Sequence, residues 1–242
     1  MTYSMSDIYN SLTSEKRKAD GSMTAFVFRP ISYPVSWLFL RLGVSPNGVT
    51  YVSMLFCVIA FILTLFPVVV FHWLAIAFFF VFAVLDCADG NMARTIGKKT
   101  VYGGFVDAMG GYLAYSTQLF SVGLSCYLLA DDSFMGVALP WDTATWVLLG
   151  GFAACGNSLM RLFFQAMKNA EITAGVIRTP GKDKRFSEEI GVTGYLPVLY
   201  AIGFATQTLS FVLVAYTFVY AGGLLLTTFK LIRRVSTSRQ AV

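Results

Sequence analysis

Three aspartates carry the strongest chemical signal in the sequence. Asp86 and Asp89 stand three positions apart near the end of one apolar stretch, and Asp107 stands near the start of the next. On a helix that spacing puts both carboxylates on one face, about a turn from each other. Ionisable side chains at membrane depth are costly and are functional candidates by default. Three carboxylates brought together repel one another unless positive charge lies between them. An all-oxygen set suits a hard cation, Mg²⁺ or Mn²⁺, completed by phosphate oxygens of a substrate. Asp86, Asp89 and Asp107 are therefore the expected metal ligands. The small residues Gly90, Ala93, Gly103, Gly104, Ala108, Gly110 and Gly111 surround them and leave room for a flat ligand or a close helix crossing. Arg94, Lys98 and Lys99 add positive charge beside the acids, so the ligand class is phosphate-bearing. The competing reading has the aspartates cap helices or pair with those three cations.

Such residues need elements to hold them, and composition says which. Of 242 residues 56% are hydrophobic and 16% aromatic. Only 13% are charged, against about 25% in a soluble domain. With a mean hydropathy of +0.66, this excludes a soluble, disordered or nucleic-acid-coating protein despite the net charge of +5. No nucleic-acid partner is expected. Residues 42–85 and 190–229 contain no Asp, Glu, Lys or Arg, and each stretch accommodates two helices of about 20 residues. Two more windows cover 108–130 and 143–160. Turn signals at Phe66-Pro67 and Gln207-Thr208-Leu209-Ser210 divide the long windows. The expectation is an all-α integral membrane protein of six transmembrane helices, near 47–66, 71–94, 101–129, 143–167, 190–208 and 211–232. The short connection Thr95–Thr100 pairs the second and third spans as an antiparallel hairpin and brings Asp107 toward Asp86 and Asp89. All 18 cations then fall on one face, whereas the opposite connections carry no Lys or Arg and hold Asp131, Asp132 and Asp142. By the positive-inside rule both termini are cytoplasmic.

The first 44 residues form a separate cytoplasmic and interfacial segment, followed by a six-helix catalytic domain over 45–235 and a cytoplasmic tail over 236–242. Ile8, Leu12 and the run Glu15–Lys18 suit a short surface helix, with a frayed tail as the alternative for residues 1–20. Pro34–Leu42 suits an amphipathic helix lying in the membrane plane, with Arg29 and Arg41 toward anionic headgroups. No signal peptide is read at the start, which fits a bacterial inner membrane. Cys57, Cys87, Cys126 and Cys155 lie in spans without CxxC spacing and read as small buried hydrophobes. His72, next to Trp73, reads as an interfacial anchor.

The run Asp86-Cys-Ala-Asp89-Gly90-Asn-Met-Ala93-Arg94, followed by Gly103 and Asp107, resembles the signature of the CDP-alcohol phosphatidyltransferase family, D-x2-D-G-x2-A-R-x8-G-x3-D-x3-D. Seven of its eight fixed positions match. The start Ser45-Pro46-Asn47-Gly-Val-Thr50 and the order of six helices resemble that family too. The resemblance implies that Asp86, Asp89 and Asp107 bind the metal ion that bridges to a CDP pyrophosphate. It implies that Gly90, Ala93 and Gly103 line the cytidine pocket, that Arg94 meets a phosphate, and that Asn47 and Thr50 donate near the same site. It further implies attack of an acceptor hydroxyl on the phosphate bearing the alcohol, with CMP leaving, and a homodimer.

The eighth position is Gly111, where the family has an aspartate assigned as general base; glycine cannot take that role. Three readings follow. The chain is an active transferase whose acceptor is already anionic or loses its proton to water or to the departing phosphate. Alternatively it binds a CDP-alcohol or a lipid without turnover, or Gly111 is an engineered replacement of the base. The first is favoured, with catalytic positions Asp107 and Gly111. Arg161, Arg178 and Lys182 are candidate acceptor-binding residues, against a plain topological or lipid-contact role for each. The donor, CDP-diacylglycerol or a soluble CDP-alcohol, is open, as is a lipid, alcohol or phosphate acceptor. A transporter is disfavoured because the acids lie near one membrane face rather than at the midplane.

Overall fold

The computed structural model describes residues 3–98, 100–129, 133, 134, 137, 138, 142–175, 191 and 193–238. Two short helices open it, α1 (Met5–Asn10) and α2 (Ser14–Ala19). Ser4 caps α1 and Thr13 caps α2 through side-chain oxygens. The Asp7 carboxylate accepts in return from the Ser4 N–H and hydroxyl, which holds it below the ordinary carboxylate range. Ile8 and Leu12 are buried, so this segment is packed rather than frayed. A π-helical turn, Thr24–Phe28, leads into α3 (Arg29–Arg41).

The body consists of α4 (Pro46–Leu63), α5 (Val69–Ile96), α6 (Val101–Leu129), α7 (Thr145–Thr173), α8 (Leu196–Ala205) and α9 (Leu209–Ser238). Ser45 starts α4 by accepting from the Gly48 N–H at 3.1 Å, with Pro46 in the first turn. The chain turns between α4 and α5 at Pro67, and Gly97 ends α5 in the left-handed conformation at φ +73°. Gln207, at φ +59°, turns the chain between α8 and α9. A two-residue antiparallel pair, β1 (Ser133–Phe134) and β2 (Val137–Ala138), lies between α6 and α7.

Among the described residues, α4, α5, α7 and α9 are long and apolar enough to cross a membrane. α6 is as long, but Gln118, Ser121 and Ser125 lower its apolarity, and all three are turned inward. The fifth predicted span is represented by α8, only 10 residues long, or about 15 Å of helix. The residues before it lie largely outside the described ones. α4 packs on α5 and α6, α6 on α7, α7 on α9, and α3 on α5. α5 and α6, expected as an antiparallel hairpin, follow one another closely in sequence but pack on each other little; α4 packs on both.

The core runs through all six long elements, with Phe79, Phe82, Trp146, Tyr200 and Leu213 fully or almost fully buried. Lipid is as apolar as these side chains, so close packing and polar contacts hold the helices together. The tightest crossing is Gly123 on Gly150, where a Cβ on Gly150 would come within 2.9 Å of the Gly123 Cα. His72 corrects the interfacial reading. It is completely buried, bonded to the Ser125 hydroxyl at 2.7 Å and the Phe66 carbonyl at 2.9 Å, and stacked on Phe204. A buried imidazole must satisfy both nitrogens, and these partners do so. Cys57, Cys87 and Cys126 are buried as expected, but Cys155 is exposed on the outer face of α7.

Candidate active site

The gap between α5 and α6 opens into a cavity of about 810 Å³. Asp86 and Asp89 enter it from α5, one turn apart, and Asp107 from α6. Asp89 is buried, and its Oδ2 accepts from the Thr50 hydroxyl of α4 at 2.5 Å. Asp107 is exposed to the cavity mouth. The donor set is all oxygen, which fits a hard divalent cation. Among the described residues, however, no three His, Cys, Asp or Glu side chains are drawn together closely enough to hold an ion by themselves. The fit is thus to an ion that takes part of its shell from ligand oxygens, as Mg²⁺ commonly does.

The small residues shape this space. A Cβ on Gly90 would stand 3.2 Å from Arg94 Nη1, and one on Gly103 would stand 3.3 Å from Asn47 Oδ1. Gly90 therefore leaves room for the Arg94 guanidinium to fold back along α5, and Gly103 lets α6 approach the start of α4. Gly110 sits over Thr50 and Met54, where a Cβ would make ordinary contacts at 3.5 and 3.6 Å. Gly111 faces α7: a Cβ there would stand 3.4 Å from Arg161 Nη1. The Arg161 guanidinium lies 4.0 Å from the Tyr115 ring centroid and 5.8 Å from that of Tyr112, the distances of a cation–π contact.

Every predicted position within the described residues lines this one cavity: Asn47, Thr50, Asp86, Asp89, Gly90, Ala93, Arg94, Gly103, Asp107, Gly111 and Arg161. Arg178 and Lys182 lie outside the described residues, as do Lys99, Lys184, Arg185, Asp131 and Asp132. Thr50, expected to donate near this site, directs its hydroxyl toward Asp89 Oδ2 and the Pro46 carbonyl. Arg29, expected to face headgroups, is buried and paired with Asp20, because both turn inward at the cavity wall. Asp20, Thr24 and Thr193, unassigned to any site from the sequence, also line the cavity, as does Lys16, expected only as part of a surface helix. The Thr24 hydroxyl donates to the Thr193 carbonyl at 2.5 Å, joining the N-terminal segment to the chain just before α8. The one available signal was Asp20 itself, an acid among cations with an arginine nine positions on.

A helical membrane fold with acids, glycines and an arginine on one cavity wall defines a class. The chain belongs to the CDP-alcohol phosphatidyltransferase family, whose model matches residues 43–229. It is 30% identical over 115 residues to the archaetidylinositol phosphate synthase of Pyrococcus horikoshii, covering 46% of this chain and 52% of that protein. It is 36% identical over 126 residues to the phosphatidylinositol phosphate synthase of Mycobacteroides abscessus, covering 52% and 49%. A phosphatidylinositol phosphate synthase of Mycolicibacterium smegmatis is 38% identical over 86 residues, covering 36% and 38%. The matched stretches thus span about half or less of these relatives' lengths.

Proposed function

We propose that this chain is an integral membrane transferase that moves a phospho-alcohol or phosphatidyl group from a CDP-linked donor to an acceptor, releasing CMP, in phospholipid or membrane-linked glycan synthesis. The observation that carries the reading is the convergence of Asp86, Asp89, Gly90, Ala93, Arg94, Gly103 and Asp107 on one cavity wall. Asp86, Asp89 and Asp107 would hold Mg²⁺ or Mn²⁺, which when bound would neutralise charge on the pyrophosphate and its leaving oxygen. Gly90, Ala93 and Gly103 would leave space for the cytidine, and Arg94 would meet a phosphate. An acceptor oxygen, already anionic or losing its proton to water or to the departing phosphate, attacks the phosphorus that carries the alcohol. The new P–O bond forms as the bond to the bridging oxygen breaks, and CMP leaves with that electron pair. The chain's own contribution is to orient these groups and match their charge.

Gly111 supplies no base for the attacking group, and Arg161 stands beside it with the Tyr115 ring against its face. This favours an acceptor that carries a negative charge, held by Arg161 and aided by Arg178 and Lys182. The named relatives make inositol phosphate lipids, which is in keeping with a phosphorylated acceptor. The same observation supports a second reading, a CDP-alcohol or lipid binder without turnover. Six membrane spans, a cytoplasmic face for the cavity and both termini, the division into residues 1–44, 45–235 and 236–242, a homodimer and a bacterial inner membrane complete the proposal. The test is CMP release by the purified chain from CDP-diacylglycerol and soluble CDP-alcohols, with anionic and neutral acceptors. Release that needs a divalent cation and disappears in Asp89→Asn is expected; a full panel without release would favour the binder.

A further inference from the structure

The family match begins at residue 43, yet Lys16, Asp20, Thr24 and Arg29 line the cavity from the segment before it. Arg29 is 6% exposed and Asp20 8%. The Arg29 Nε donates to Asp20 Oδ2 and its Nη2 to Asp20 Oδ1, each at 3.0 Å, a two-armed pairing that fixes the guanidinium plane. The remaining arm, Nη1, donates to Asn91 Oδ1 at 3.1 Å and to the Cys87 carbonyl at 3.3 Å. Asn91 Oδ1 also accepts from Arg94 Nη2 at 2.8 Å. The Asn91 amide cannot flip without loss, because its Nδ2 donates to the Ser32 hydroxyl at 2.9 Å. Two guanidinium groups thus share one amide oxygen, a repulsive arrangement that the buried Asp20 carboxylate offsets. The Arg94 Nε is buried with no hydrogen-bond partner among the described residues, and Arg94 itself lines the cavity.

We propose that Arg29, clamped by Asp20, is a positioning residue that sets the Arg94 guanidinium through Asn91. The segment ahead of the family-matched region thereby tunes affinity for the diphosphate of the ligand. The part concerning the diphosphate rests on the CDP-linked donor of the proposed function; the positioning itself does not. A purely structural clamp would tie α3 to α5 and leave Arg94 indifferent to residue 29.

The experiment uses the full chain in detergent or nanodiscs, with Arg29→Gln, Arg29→Lys, Arg94→Gln and the double variant Arg29→Gln/Arg94→Gln. Three readouts are taken: the rate at which phenylglyoxal labels Arg94 in the absence of ligand, by peptide mass spectrometry; the Kd for CDP-diacylglycerol; and Tm. In Arg29→Gln, Arg94 labelling should rise severalfold and the Kd about tenfold, a loss near 1.4 kcal/mol. The double variant should bind no worse than Arg94→Gln alone, since a residue acting through another is non-additive with it. Arg29→Lys keeps the charge but not the fork; it should fall between, and it carries the test if Arg29→Gln does not fold. Unchanged Arg94 labelling in a folded Arg29 variant, or losses of affinity that add in full, overturns the proposal. If the native chain does not bind CDP-diacylglycerol, the donor assignment fails, while the labelling rates still decide the positioning.

Discussion

At the scale of single residues, Gly111 departs from the family signature, and Arg161 stands beside it. Gly111→Asp would put a carboxylate against the Arg161 guanidinium, whose Nη1 lies 3.4 Å from the new Cβ. If Arg161 holds an anionic acceptor, that carboxylate competes for it, and the acceptor KM should rise about tenfold, near 1.4 kcal/mol, with the donor KM little changed; steady-state kinetics with varied acceptor measure the split. Gly90→Ala makes a separate prediction. Its Cβ would stand 3.2 Å from Arg94 Nη1, so the guanidinium must shift; donor affinity should fall severalfold while Tm holds, as read by titration and thermal unfolding. A rise in affinity would contradict the role given to Arg94. Asp86, Asp89, Gly90 and Arg94 were legible together because their relation is local, fixed by helical spacing; Gly103 and Asp107, on the next helix, were legible through the resemblance to the family signature. The place of the Asp20–Arg29 pair at the cavity was not, because Arg29 is held there by Cys87 and Asn91, more than fifty positions away in sequence and close only once α3 packs on α5.

At the scale of elements, the crossing of α6 and α7 governs how Tyr115 and Arg161 meet. Backbone touches backbone there, since a Cβ on Gly123 would lie 2.7 Å from the Trp146 carbonyl oxygen. Gly150→Leu must push the helices apart and should cost about 1–3 kcal/mol, seen as a lower Tm and a weakened acceptor response; an unchanged Tm would mean that α7 packs elsewhere. At the opposite end from the acids on α5, His72 links to Ser125, and Ser125 to Tyr200 of α8. The boundaries of α4, α5 and α6 were legible to within three residues from apolar length and Pro67, whereas α7 runs on to Thr173, six residues past its expected end and beyond the charge-free window. The separation of α5 and α6 was not legible. A short connection fixes how far apart two helix ends lie, not how the helices diverge, and here α4 and the cavity decide that. The inward turn of Gln118, Ser121 and Ser125 was hidden likewise, because hydropathy counts polar groups without knowing which face carries them.

At the scale of the molecule, the proposed six-span arrangement would put all 18 cations on one face. That arrangement predicts the side from which two engineered cysteines react. With the native cysteines replaced, Lys98→Cys, in the connection after α5, should react with an impermeant maleimide only once the cytoplasmic side is opened. Thr206→Cys, between α8 and α9, should react in intact spheroplasts. The reverse labelling pattern would invert the topology, and labelling of both positions from one side would mean an even number of crossings between them. The most direct test of the account as a whole follows the phosphate that bears the alcohol. With that phosphate labelled in the CDP-linked donor, the native chain and a divalent cation should transfer the label to the acceptor and leave the released CMP unlabelled, and Asp89→Asn should transfer none. Label that stays in intact donor with the native chain under every pairing, but moves to an acceptor with Gly111→Asp, would contradict a native transferase and leave a binding protein on the same fold.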